Sequence, residues 1–210
     1  KLNKAAYIFL TGRVHEQFSY LLHICTYNSI TVLREDVPTP TGIQAVVALD
    51  TPKPEMLEIS EGIRDILADP AVIKMEIDHH LGADSSYFGD PGYRLVCAAS
   101  SASELVGYVA LKMDESKQYD VAESSGGLLA RNLVLAVLTG IIADSRMGKY
   151  LKTKRERWFY ERFSGLFDRL LAQKTLKGSG NFTSKEQVFD AIASLSSDEE
   201  KCYQVLMSSK

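Results

Sequence analysis

Asp78-His79-His80 closes an apolar run, residues 71–77, that reads as a buried strand. A carboxylate and two imidazoles at a strand end are the donor set of a metal or phosphate site. In an open α/β sheet, ligands bind just beyond the carboxyl ends of the strands. Alone, the triplet is equally well read as a polar turn carrying two incidental histidines. Two further elements tilt the balance. The β-prone run 44–49 ends in Asp50-Thr51-Pro52, and Pro52 and Pro54 stop the strand and open the next element. The apolar run 133–143, too long for an ordinary strand and expected to be helical, ends in Asp144-Ser145-Arg146. A single Asp at such a place is usually a turn former or a helix cap. Three in one chain, one joined to His-His, point to chemistry instead. Aspartate with neutral imidazole suits a divalent transition metal such as manganese, zinc or iron.

The elements that must position these groups alternate. Strands are predicted at 5–10, 30–33, 44–49, 72–77 and 93–98, with a short helix at 16–23 and another at 54–68, opened by Pro54-Glu55. From residue 101 the pattern turns helical: Ser101-x-x-Glu104 is a capping box, and further helices are predicted at 127–143 and 152–174. The last of these carries an apolar stripe of Trp158, Phe159, Phe163, Leu166, Phe167, Leu170 and Leu171, read as core. Residues 114–125 read as a surface loop and Gly178-Ser179-Gly180 as a turn or linker. Two short helices follow, with capping boxes at Thr183-x-x-Glu186 and Ser197-x-x-Glu200. The expected fold class is α/β: a mainly parallel sheet flanked by helices, with a helix-rich C-terminal part.

Length and composition fit a globular chain. The 210 residues suffice for one large domain or two small ones, with 45% hydrophobic and 24% charged residues. A net charge of -3 offers no general attraction to nucleic acid or membrane. Cys25, Cys97 and Cys202 are widely spaced, which argues against a disulfide scaffold or zinc ribbon and suits a reducing cytoplasm. No signal peptide is visible, and the run 133–143 is too short to span a bilayer.

With the strand-end acids in place, the chain resembles the DHH phosphoesterase family. The stretches that carry the resemblance are 46–51, Ile77-Asp78-His79-His80, Ser100-Ser101-Ala102-Ser103-Glu104 and Gly140-Ile141-Ile142-Ala143-Asp144-Ser145. They stand in the family's order and cover roughly residues 44 to 148. The combination is specific; no single piece is. The resemblance implies a two-manganese centre that hydrolyses phosphate esters through an activated water. It implies Asp50 as the bridging ligand, with His79 and Asp144 completing one metal. Asp78 and His80 are the implied catalytic pair, Asp78 orienting His79 and His80 facing the substrate phosphate. Arg146, Lys149 and Ser101 are the expected substrate contacts, Ser101 through the start of its helix. Lys152, Lys154, Arg155 and Arg157 are read as a solvated helix face. Residues 144–150 are similar to the fourth motif of the oligoribonuclease-like members. That favours a small nucleotide or short oligonucleotide as partner; a homodimer is admitted and a membrane is not.

The family's His-x-x-x-Asp-x-Asp loop is missing, since no Asp-x-Asp occurs in the chain. Nothing after residue 178 fits the family's Gly-Gly-rich substrate-binding motif. The expectation is a catalytic domain at 1–177 cut at both ends, with 178–210 a helical extension or linker. On that account the chain alone binds metal weakly and is impaired as an enzyme. The competing readings are a catalytically incomplete nucleotide-binding or regulatory module of the same family, and an interaction protein with an incidental Asp-His-His.

Overall fold

All strand pairs are parallel, with helices crossing between the first and second strands and between the third and fourth, and a loop without a helix among its described residues between the fourth and fifth. The computed structural model describes residues 4–10, 12–34, 37–57, 59–82, 84–116, 127–173, 182–194 and 197–208. Strand β1 (Tyr7–Phe9) pairs in parallel with β2 (Thr31–Leu33), Tyr7 opposite Thr31, across the intervening helix α1 (Ser19–Tyr27). Strands β3 (Ala45–Leu49), β4 (Ile73–Asp78) and β5 (Arg94–Val96) form a second parallel sheet in that order. Its register sets Leu49 opposite Ile77 and Asp78 opposite Val96. The expected parallel sheet is therefore divided, among the described residues, into a two-stranded and a three-stranded piece.

Local chemistry moves several expected boundaries. Residues 54–68 do not form one helix. Pro54–Met56 is a single 3-10 turn, Leu57 is extended (ψ 104°), and helix α2 (Glu61–Ala68) starts where Ser60 Oγ accepts the Ile63 N–H. The predicted helix at 16–23 is a 3-10 turn at Glu16–Phe18 that runs into α1. Helix α3 (Ala102–Ser116) takes in residues 114–116, which had read as loop; the rest of that stretch lies outside the described residues, as does Gly178-Ser179-Gly180. Helix α4 (Arg131–Ser145) starts four residues later than expected and carries Asp144 in its last turn. Helix α5 (Lys154–Gln173) is opened by a capping box that the sequence reading passed over. Thr153 Oγ1 accepts the Glu156 N–H, and the Glu156 carboxylate accepts the Lys152 and Thr153 N–H groups. In α6 (Lys185–Ala193) the capping residue is Ser184, which accepts from Gln187 N, in place of Thr183. The last helix, α7, spans Ser197–Ser208.

The core lies among α3, α4, α5 and α6. Val134, Leu138, Ile141, Ile142, Phe163, Phe167 and Val188 are completely buried there. Val188 belongs to the region expected to be an extension, and it packs into the same core as α4 and α5. On α5 the buried positions step by four: Phe159, Phe163, Phe167. Trp158 is the exception to the expected stripe. One residue turns a helix by about 100°, so Trp158 faces outward, 52% exposed, with its ring edge-on to Phe159. Gly107 lets α3 close on α5, because a Cβ there would stand 2.8 Å from the Phe163 ring. Among the described residues no helix is long and apolar enough to cross a membrane.

Candidate metal centre

Strand β3 ends by turning sharply at Asp50. The Asp50 N–H continues the ladder to the Ile77 carbonyl at 3.0 Å, and its φ of 56° lies in the left-handed region, which Asp tolerates better than most residues. Helix α4 ends in a left-handed run, Arg146 (φ 45°), Met147 (φ 58°) and Gly148 (φ 79°). Ser145 pins that turn. Its Oγ donates to the Ile141 carbonyl and accepts the Gly148 N–H, and its own carbonyl accepts the Tyr150 N–H. A sharp turn thus presents Asp50 to the end of β4, and the last turn of α4 presents Asp144.

There Asp50 and His79, two of the three expected ligands, come together with His80 in place of Asp144 as a group whose donor atoms lie within 4.8 Å of one another; Asp144 approaches the group only at His79. His79 Nε2 stands 3.2 Å from Asp50 Oδ1 and 4.0 Å from Asp144 Oδ2. His80 Nδ1 lies 3.8 Å from Asp50 Oδ1. The other ring nitrogen of His79 faces the Ala99 carbonyl at 3.2 Å. A carbonyl can only accept, so this contact is a hydrogen bond when Nδ1 carries the proton. Nε2 is then the ring atom that faces the carboxylate oxygens. Two acceptors at 3.2 Å repel unless a proton or a cation lies between them. Donors held about 2.0–2.2 Å from one ion stand roughly 3–3.5 Å apart at tetrahedral or octahedral angles, a spacing that the Asp50–His79 pair meets.

The electrostatics favour a cation as well. Asp144 sits at the carboxyl end of a helix, where the dipole disfavours negative charge. Partial burial, and next the negative charge of Asp50, push its carboxyl pKa up; the two histidines partly offset this. A bound cation would relieve both strains.

Asp78 acts on a different ring from the one expected. Its buried carboxylate accepts the His79 backbone N–H at 2.8 Å and the His80 Nδ1–H at 2.8 Å. It therefore orients the His80 ring, while the Ala99 carbonyl orients the His79 ring. The Asp78 hydrogen bond raises the His80 pKa above the ordinary imidazole value, against a smaller opposing effect of burial. The proton on Nδ1 is committed to Asp78, which leaves Nε2 as the free end of the ring.

The sign of the resulting pH dependence follows from linkage. A histidine whose folded pKa is raised contributes stability fully below its unfolded pKa, about 6.5, and loses it as pH rises through the raised value. Asn at position 78 can accept the same two hydrogen bonds without the charge. Asp78→Asn is therefore expected to lower the His80 pKa toward its ordinary value, read by NMR titration of the ring protons. An unchanged titration midpoint would show that Asp78 does not set it.

The expected substrate contacts are placed less uniformly. Arg146 and Lys149 follow the turn, but their charges stand 5.9 and 5.8 Å from the Tyr150 ring centre. Ser101 is 1% exposed and its oxygen caps α3, accepting the Glu104 N–H at 3.1 Å. Ser101 still lines a cleft of about 180 Å³ together with Asp50, Ala102, Ser103, Gly140 and Asp144. Arg155 stays half exposed on the expected solvated face, but its guanidinium pairs with the fully buried Glu104 at 3.0 Å. Arg157 is also engaged, donating to the Leu151 carbonyl.

The cleft wall depends on a close approach of α3 to α4. A Cβ added at Gly140 would stand 2.6 Å from the Ser103 Cβ and nearer still to its hydroxyl. Gly140→Ala is expected to cost roughly 1–3 kcal/mol, the range for overpacking, measured by denaturant unfolding. It should also push α4, and Asp144 with it, away from α3. Stability equal to wild type would mean that the helices part without cost.

No family model and no curated protein matches this chain.

Proposed function

We propose that this chain carries the centre of a metal-dependent phosphoesterase, acting on phosphodiester or phosphomonoester bonds of small nucleotides or short oligonucleotides. The observation that supports the reading most is the gathering of Asp50, His79 and His80 into one group of donors, with Asp144 4.0 Å from the His79 imidazole. The donor set fits manganese, which accepts carboxylate and imidazole ligands. When bound, divalent ions supply a lowered water pKa and neutralisation of phosphoryl oxygens.

The chain's own residues divide the remaining work. Asp50, central to both histidines, is suited to bridging. His79, with Asp144 4.0 Å from its ring, would help to hold a bound ion. His80, held on Asp78 through Nδ1, offers Nε2 to a phosphate oxygen or a leaving group, and its raised pKa keeps that proton in place to higher pH. The start of α3 forms the wall where backbone N–H groups can meet phosphate. Three free thiols support the reading of a reducing cytoplasm as its location.

The test is hydrolysis of bis-p-nitrophenyl phosphate and of a dinucleotide, with and without added manganese. Manganese-stimulated turnover supports the reading. Nucleotide binding without turnover favours the regulatory alternative. These donors would supply few protein ligands to a bound ion, so calorimetry is expected to show one weak manganese site.

A further inference from the structure

We propose that Arg155 and Glu104 are positioning residues for the metal centre: they lock the loop after β5 so that the Ala99 carbonyl holds His79 with Nε2 aimed at Asp50. Neither residue touches the cluster of acids and histidines. Their influence passes through four consecutive backbone positions, 98–101.

Glu104 is completely buried, and each of its carboxylate oxygens has assigned partners. Oε2 accepts the Ser100 N–H at 2.9 Å and the Ser100 hydroxyl at 2.7 Å. Oε1 accepts from Arg155, whose Nε lies at 3.1 Å and whose terminal nitrogen lies at 3.0 Å. The same guanidinium donates to the Ala98 carbonyl. One planar fork thus ties α5, the first turn of α3 and the residue before Ala99. Ala98 is held from one side and Ser100 from the other. The intervening Ala99 carbonyl is left pointing at His79 Nδ1, 3.2 Å away.

The capping requirement of α3 does not call for this arrangement. Ser101 Oγ alone accepts the Glu104 N–H, and an ordinary capping box would return the carboxylate to the Ser101 N–H. Here the carboxylate reaches one residue further back and buries a charge, which then needs the Arg155 fork. A buried ion pair is a poor stabiliser compared with apolar packing but a strong geometric constraint. Lysine cannot replace the fork, since a single ammonium does not supply a planar set of donors. Groups that fix a ligating imidazole from behind typically change metal affinity about 10–100-fold when removed.

The experiment uses the whole chain and two variants, Arg155→Met and Arg155→Lys, each checked for folding by circular dichroism. If the methionine variant does not fold, the lysine variant, which keeps a positive charge beside Glu104, decides. The first readout is the His79 ring Nδ1–H in proton NMR of metal-free protein, sheltered from solvent exchange by the carbonyl. The second is manganese affinity by electron paramagnetic resonance. Loss of the sheltered Nδ1–H signal in a folded variant, with manganese affinity about 10-fold or more weaker, is the expected result. A sheltered Nδ1–H identical to wild type in a folded variant overturns the proposal. The affinity arm rests on the metal-centre reading, but the NMR arm does not. Wild-type protein that binds no manganese would overturn the metal-centre reading and leave the positioning of His79 to be decided by the ring proton.

Discussion

Asp50→Asn is expected to abolish manganese binding and manganese-stimulated hydrolysis while leaving the fold intact. Three observations lead to this. First, Asp50 Oδ1 lies near both rings, 3.2 Å from His79 Nε2 and 3.8 Å from His80 Nδ1. Second, its charge helps raise the Asp144 carboxyl and the His80 imidazole, so the electrostatics of the whole cluster change when it is removed. Third, the backbone there is left-handed (φ 56°), a conformation that asparagine adopts as readily as aspartate and alanine does not. Asparagine therefore isolates the loss of charge from loss of the turn. The effect should exceed the ~10–100-fold that removal of a group behind a ligand costs. Calorimetry with manganese and circular dichroism on the same sample separate the two outcomes. Affinity within a few-fold of wild type in a folded Asp50→Asn protein would exclude Asp50 as a ligand.

The site was more legible in the sequence than the scaffold behind it. Asp50, Asp78-His79-His80 and Asp144 each end an apolar run, and ends of apolar runs are visible as patterns. Parallel pairing of β3 and β4 then brings Asp50 and Asp78-His79-His80 to one edge, so that part of the gathering follows from the fold class, whereas Asp144 arrives on helix α4. What the pattern cannot show is a backbone carbonyl acting as a partner. Ala99 has no side-chain signature, so the orientation of His79 was assigned to Asp78, two residues from the ring that Asp78 does hold. The pairing of Arg155 is hidden for a related reason: it stays on the exposed basic face that the sequence pattern suggests, but nothing in that pattern shows that Glu104, 51 positions away, is buried beside it. The boundary of α2 was missed because Pro54 was taken as the helix start, whereas Ser60 supplies the cap.

Phe163→Ala is expected to be the most destabilising single truncation in the helical half. Sequence periodicity places Trp158 and Phe163 in one stripe, and a count of aromatic area would rank Trp158 first. The structure reverses the ranking. Phe163 is wholly enclosed between α3 and α4, with Gly107 and Val137 against it, while Trp158 is 52% exposed and keeps an edge contact with Phe159. Truncating a buried Phe costs about 3–5 kcal/mol, part transfer and part cavity. Against a total stability of about 5–15 kcal/mol this is a large fraction, and it should lower Tm by roughly 6–20 °C for a chain of this size. Trp158→Ala removes an exposed ring and an edge-to-face pair, expected to cost about 0.5–1.5 kcal/mol. The loss also reaches the site. Phe163 holds the α3–α4 pair whose approach at Gly140 and Ser103 forms the cleft wall beside Asp144. Manganese affinity of Phe163→Ala should therefore fall even at temperatures where the protein remains folded. Thermal denaturation of both variants side by side is the measurement. If Trp158→Ala proved the more damaging, the core would lie on the other face of α5, and the placement of α4 and Asp144 derived from it would be wrong.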